Sequence, residues 1–139
     1  MAKPVSFKRL FQIIEGGNQK LFDESIYPSH LTNQCVVWAM SWGLSDPSQN
    51  VKRGAAMILQ RSEERLRPQD LMWLEEFMQD EDASSEVQYL IAMALYKRGR
   101  RTPAVIVKMA LAKNDRALGR LAKEVWEKGS PPPRPKLVR

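Results

Sequence analysis

The spacing of apolar residues limits the fold of this chain more than any other feature of its sequence. Apolar side chains recur about every 3.6 residues almost throughout, as in Phe7, Leu10, Phe11 and Ile14, and no stretch shows sustained alternation of apolar and polar residues. A period near 3.6 is typical of helices, whereas a half-buried strand has a period of two. The sequence therefore predicts an all-α fold without a β-sheet.

Glycine, proline and capping residues divide this pattern into seven predicted helices. Their predicted spans are 7–15, 30–42, 51–65, 68 to the acidic run at 80–82, 85–97, 103–113 and 115–128. Residues 18–30 are predicted to form a loop, and the second helix is expected to be central because apolar residues surround it. From residue 50 onward, short joints predict antiparallel hairpins. These would form either an irregular bundle or a short HEAT-like α-solenoid.

The 139 residues are enough for one domain with its own core, which we place at residues 1–129. Residues 130–139 are rich in proline and basic residues, and we expect them to form a flexible tail. No apolar run approaches the roughly 20 residues that span a bilayer, and the N-terminus leads into an amphipathic stretch rather than a signal peptide. One cysteine excludes an internal disulfide. The sequence thus predicts a cytoplasmic protein without a membrane partner.

The residue inventory offers little for catalysis. A single histidine, His30, and a single cysteine, Cys35, exclude His-clustered zinc sites and Cys-rich metal sites. Gly16-Gly17 lacks the spacing of a phosphate-binding loop. The acidic residues between positions 75 and 82 are interpreted as a solvated surface, because nothing imposes the geometry of metal ligands. We therefore expect no enzymatic activity, no cofactor, no metal and no small-molecule substrate.

Basic residues are concentrated at the C-terminal end. Positions 97–139 hold thirteen of the 22 Lys and Arg residues and only three acids, a net charge of +10. By contrast, residues 51–96 carry −4 and residues 1–50 are neutral. Such polarity predicts a polyanionic partner, of which nucleic acid is the usual one.

The sharpest local feature is the turn Lys97-Arg98-Gly99-Arg100-Arg101, which precedes the sixth predicted helix. Four cations beside a helix N-terminus are a favourable site for phosphate. The alternative is that Lys97 and Arg98 complement the dipole of the preceding helix while Arg100 and Arg101 are simply solvated.

A second basic feature lies on the last predicted helix, where Arg116, Arg120 and Lys123 are spaced i, i+4 and i+7, with Lys113 just upstream. A stripe of this kind would follow a phosphate backbone without reading bases. The alternative is an ordinary solvated face with i, i+4 ion pairs. The complete predicted nucleic-acid site is Lys97, Arg98, Arg100, Arg101, Lys113, Arg116, Arg120 and Lys123.

The N-terminal third carries a pattern that resembles a known family. Its parts are Phe7-Lys8-x-Leu10-Phe11-x-Ile13, then Leu21-Phe22-Asp23, then Tyr27-Pro28 followed by Asn33 and Cys35. The pattern is similar to the N-terminus of the small, non-ATPase clamp-loader subunits of large T-even-type phages. The Lys-Arg-Phe/Tyr segment usual in the middle of that family is not found here. The resemblance implies a non-catalytic wedge that joins ATPase subunits and helps to open a ring-shaped clamp on primed DNA.

The function we predict is that of a non-enzymatic helical subunit whose basic C-terminal third contacts the nucleic-acid backbone. It would act with protein partners in a larger complex, for which the resemblance implies DNA replication. The alternative is a HEAT-like protein–protein adaptor whose acidic middle and basic end dock partners of opposite charge. A small helical enzyme that uses carboxylates is a third possibility. Salt-sensitive retention of DNA or RNA separates the first function from the second.

Overall fold

The computed structural model describes residues 7–17, 19–26 and 31–129. In these segments every regular element is a helix and no strand occurs, which confirms the all-α prediction. The described α-helices are α1 (Phe7–Glu15), α2 (Gln19–Ser25), α3 (Asn33–Ser41), α4 (Gln49–Arg61), α5 (Pro68–Met78), α6 (Ser85–Lys97), α7 (Pro103–Asn114) and α8 (Gly119–Gly129). One 3-10 turn, Gly43–Ser45, follows α3. None of the described helices combines the length and the apolar character needed to cross a bilayer.

The central helix is α6. Every side chain from Leu90 to Tyr96 is buried, because α6 packs against α4, α5, α7 and α8. The prediction that the helix at 30–42 is central is wrong. Its counterpart α3 packs against α4 and the 3-10 turn, and it leaves Val37 and Trp42 exposed by 52% and 71%. Apolar residues on all sides of a helix therefore did not distinguish a central helix from one with an exposed apolar face.

From α4 onward, some helices that are two apart in the chain pack together, as do several successive helices. α6 contacts both α4 and α8, while α5 packs on α6 and α7 packs on both α6 and α8. Contacts between alternate helices and between successive helices occur in bundles and in α-solenoids alike. Both predicted architectures are compatible with this arrangement.

α1 lies unusually close to α4. A Cβ atom at Gly54 would be 2.2 Å from Cγ2 of Ile14, so only glycine allows this approach. The amide of Asn50 donates to the Glu15 carbonyl at 3.3 Å, and the Arg53 guanidinium donates to the Gly17 carbonyl at 2.9 Å. The first helix is thus held both by packing and by bonds at its C-terminal end.

The predicted loop at 18–30 is wrong for residues 19–25, which form α2. So short a segment has weak helical preference by itself, and it is stabilised here by tertiary burial of Phe22 and of Ile26 just beyond it. Residues 27–30 and the predicted tail at 130–139 lie outside the described residues.

Two further helix boundaries are displaced by four residues from the prediction. α4 ends at Arg61 rather than at residue 65, because Ser62 adopts an extended backbone with ψ 144°. α8 begins later than the predicted residue 115, because the Asp115 carboxylate accepts the N–H groups of Ala117 and Leu118 at 2.8 and 3.0 Å. Both differences arise where a short polar side chain favours a turn over a helix.

Candidate nucleic-acid interface

The predicted phosphate-binding turn begins where α6 ends. Gly99 has φ +86°, and the N–H groups of Gly99 and Arg100 donate to the carbonyls of Tyr96 and Leu95 at 3.0 and 2.9 Å. This pair of bonds is a Schellman motif, which places a left-handed residue, usually glycine, just after the helix. The cations before the glycine then contact the end of α4, and Arg100 beyond it contacts α5.

The Arg98 guanidinium makes its hydrogen bonds within the fold. Its guanidinium donates to the carbonyls of Leu59 (2.7 Å), Ser62 (3.0 Å), Glu64 (3.1 Å) and Ala94 (3.1 Å). The first three lie at and beyond the end of α4, where carbonyls lack helical partners. Burial lowers the pKa of Arg98 to about 10, so the side chain stays cationic at neutral pH. Arg98 therefore fixes α6 to the end of α4 and offers little of its guanidinium to a phosphate.

Lys97 is also directed at α4, because its Nζ donates to the Gln60 carbonyl at 3.0 Å. Burial, and secondarily the charge of Arg98, lower the pKa of Lys97 to about 8, although Glu63 acts in the opposite direction. Lys97 lines a cleft of about 420 Å³ between the ends of α4 and α8. The other lining residues are Gln60, Arg61, Glu63, Leu121, Glu124, Val125 and Lys128. Three bases and two acids nearly balance there, so this cleft is not a strong anion site.

Arg100, the cation that follows Gly99, pairs with the carboxylate of Glu75. Glu75 of α5 accepts from Arg100 Nε at 3.0 Å and Nη2 at 2.9 Å, and it also accepts the Thr102 hydroxyl. The Thr102 hydroxyl and the Arg100 guanidinium lower the pKa of Glu75, although burial opposes them. Thr102 stands at the N-cap of α7 but makes no capping bond. The carboxylate thus binds Arg100, one of the cations predicted to contact phosphate.

Arg101 and Lys113 belong to one aromatic cluster. The Arg101 guanidinium lies 4.6 Å from the centre of the Tyr96 ring, and Lys113 Nζ lies 5.9 Å from the centre of the Trp126 ring. The two rings stack on each other, with centroids 5.3 Å apart and an interplanar angle of 11°. This cluster joins α6, α7 and α8, and it engages the aromatic rings in packing rather than leaving them open to bases.

The remaining predicted cations are Arg116, Arg120 and Lys123, which lie in the turn before α8 and on its outer face. All three are exposed, and none makes a hydrogen bond or ion pair with any residue that the structure describes. Together with the exposed Lys113 we call them the α8 ridge. Glu124 and Glu127 are exposed on the same helix, and Glu124 pairs with Lys128 at 3.2 Å. The predicted site is therefore divided into an internally bonded turn and an exposed ridge.

The described residues contain no group of three or more His, Cys, Asp or Glu side chains that could hold a metal ion. Cys35 is buried. These observations assign no reactive side chain to a site.

Sequence reasoning missed two features of this region. It placed Glu75 on a solvated acidic surface, whereas its side chain is only 14% exposed and bonded to the turn. It also assigned no exposed apolar face to the helix predicted at 103–113. In fact α7 exposes Ile106, Val107 and Leu111. Only the second feature had a sequence signal, because apolar residues occur on every side of that helix.

Comparisons with protein-family models, curated proteins and solved structures found no match to this chain. What the chain does is therefore inferred from its own side chains.

Proposed function

We propose that this chain is a non-enzymatic binding subunit of a larger assembly and that the α8 ridge contacts the phosphate backbone of nucleic acid. The observation that supports the proposal most directly is that Arg116, Arg120 and Lys123 are exposed and unpaired among the described residues. Guanidinium and ammonium groups in solvent can replace the counterions of a phosphate backbone. The N-terminal resemblance to clamp-loader subunits would make that assembly a replication complex.

The chemistry of the ridge favours contact without sequence readout. Tyr96 and Trp126 are stacked on each other with cations beside them, so they supply no free platform for unstacked bases. Glu124 and Glu127 reduce the local positive charge. The expected binding is therefore modest, similar for unrelated sequences and strongly dependent on salt.

The test compares two triple variants of equal charge. Arg116→Ala/Arg120→Ala/Lys123→Ala removes three of the four ridge cations, and Lys8→Ala/Lys20→Ala/Arg65→Ala removes three exposed cations elsewhere. Titration of duplex DNA at several salt concentrations should show a weaker affinity for the ridge variant. Its log–log slope should be flatter by up to about 2.7, which is about 0.9 for each phosphate that the ridge no longer neutralises. The control should retain the parent slope. Equal reductions in both variants would show that net charge alone matters.

The second candidate is a protein–protein adaptor without a nucleic-acid role. It is favoured by the internal bonding of the turn at 97–101, because much of the predicted basic site is already used within the fold. Absence of measurable DNA and RNA binding by the parent chain at low salt would decide for the adaptor.

A further inference from the structure

α7 has two apolar faces, of which only one is covered. Val105, Met109 and Ala112 are buried against the rest of the domain. On the other side, Ile106, Val107 and Leu111 are exposed by 40%, 57% and 48%, and Ala110 between them is also exposed. The spacing i, i+1, i+4 and i+5 places these four side chains on one side of the helix. We call Ile106, Val107, Ala110 and Leu111 the α7 outer stripe.

We propose that the α7 outer stripe is a docking site for an amphipathic helix of a partner protein, one whose apolar face is bordered by acidic residues. The stripe extends about 8 Å along α7, which has 12 residues and is about 18 Å long. A partner helix of three turns would therefore place its apolar residues on the stripe and its flanking residues beside the rest of α7. Contiguous exposed apolar residues of this kind mark interaction sites more often than scattered ones do. Apolar anchors at helical spacing are the usual way in which one helix recognises another.

The charges around the stripe determine which helix fits. α7 contains Lys108 and Lys113 and no acidic residue, Arg101 lies just before it and Arg116 lies just after it. Lys108 Nζ already donates to Gln88 Oε1 at 2.7 Å, so a partner with acidic flanks would meet opposite charges at the two ends of α7. A second copy of this chain that presented the same stripe would instead bring two sets of cations together. Charge complementarity therefore favours a different protein over self-association.

The proposal is tested by selecting helical peptides that bind the chain and that differ in the residues beside their apolar face. A displayed library of helical peptides with a fixed apolar face, and with flanking positions free to be acidic, basic or serine, is selected on the full chain. The same selection is run on Val107→Ser/Leu111→Ser and on the control Val37→Ser/Met72→Ser, which alters two apolar residues of similar exposure in α3 and α5. Acidic flanks should be enriched, and selected peptides should bind the stripe variant about 30-fold more weakly than the parent while the control binds normally.

Each other outcome overturns the proposal. Enrichment of basic or uncharged flanks, or no enrichment, would contradict the proposal that the partner is a helix with acidic flanks. Dimers in sedimentation that disappear in the stripe variant, without peptide binding, would assign the stripe to a second copy. Binding of phosphatidylserine vesicles that depends on Val107 and Leu111, again without peptide binding, would assign it to a membrane surface. The stripe variant keeps the α8 ridge, so DNA titration of the same protein reports separately on the proposed function.

Discussion

The turn at 97–101 and the α8 ridge have similar sequences in one respect and opposite structural roles. Both are rich in Lys and Arg, and both stand next to a helix terminus. In the turn, Lys97 and Arg98 donate to backbone carbonyls, and Arg100 pairs with a carboxylate. On the ridge, Arg116 and Arg120 have no partner among the described residues.

This difference shows that clustered charge has two uses. A cation at the end of a helix can satisfy carbonyls that would otherwise be buried without a donor, and it then contributes to stability. A cation with no internal partner contributes little to stability and remains available to a ligand. Substitutions in the turn should therefore change unfolding, and substitutions on the ridge should change binding.

The largest expected effect is that of Arg98→Met. The variant keeps much of the aliphatic packing but leaves several carbonyls near the end of α4 without their donor, which should lower the free energy of unfolding by about 2–4 kcal/mol. Urea denaturation measures this change, with Arg116→Met as the control of equal charge. A variant as stable as the control would show that Arg98 is not a structural tie.

Glu75→Gln should have the next largest effect on stability. It removes the charge that pairs with Arg100 and should lower the free energy of unfolding by about 1–2 kcal/mol at neutral pH. Because the pKa of Glu75 is lowered in the fold, its contribution is present above the ordinary pKa of glutamate and is lost as the pH falls through the folded value. The stability difference between parent and variant should therefore shrink in acid. Glu76→Gln, in the next and exposed position, is the control, and a pH-independent difference would contradict the pairing.

Lys97→Met should give a smaller effect at neutral pH, and this effect should change with pH in the alkaline range. The pKa of Lys97 is lowered to about 8 in the fold, so between about pH 8 and its ordinary pKa the unfolded chain binds more protons than the folded chain. The contribution of Lys97 to stability should accordingly increase as the pH rises through this range. Urea denaturation at pH 7, 8.5 and 10 should show this increase in the parent relative to Lys97→Met. The opposite sign would mean that the folded state favours the charged lysine.

The smallest effect on stability should come from the ridge. Arg120→Ala alone is expected to change the free energy of unfolding by less than about 0.5 kcal/mol, because it removes no internal contact among the described residues. Its DNA affinity should nevertheless fall, and the salt slope should flatten by about one unit. A large decrease in stability would show that the ridge is structural, and would remove the distinction between the two groups of cations.

The sequence predicted the helical class and several helix ends because these depend on local rules. Gly99 ends α6 as expected, since a left-handed residue there favours glycine, and Pro68 and Pro103 begin helices. It did not predict α2 or the central place of α6, because both depend on which faces meet across the fold. The sequence also did not predict which groups the cations bond. Arg98 reaches carbonyls up to 39 residues away, and no local pattern records such distances.

Gly54 makes the N-terminal helix a potential separate unit of local unfolding. Gly54→Ala would strengthen α4 as an isolated helix, yet its methyl group would collide with Ile14 and push α1 away. Hydrogen exchange should then speed up at the amides of α1 while those of α6 stay protected, because the two helices have no extensive contact. One methyl group would in this way separate the opening of the first helix from the opening of the domain behind it.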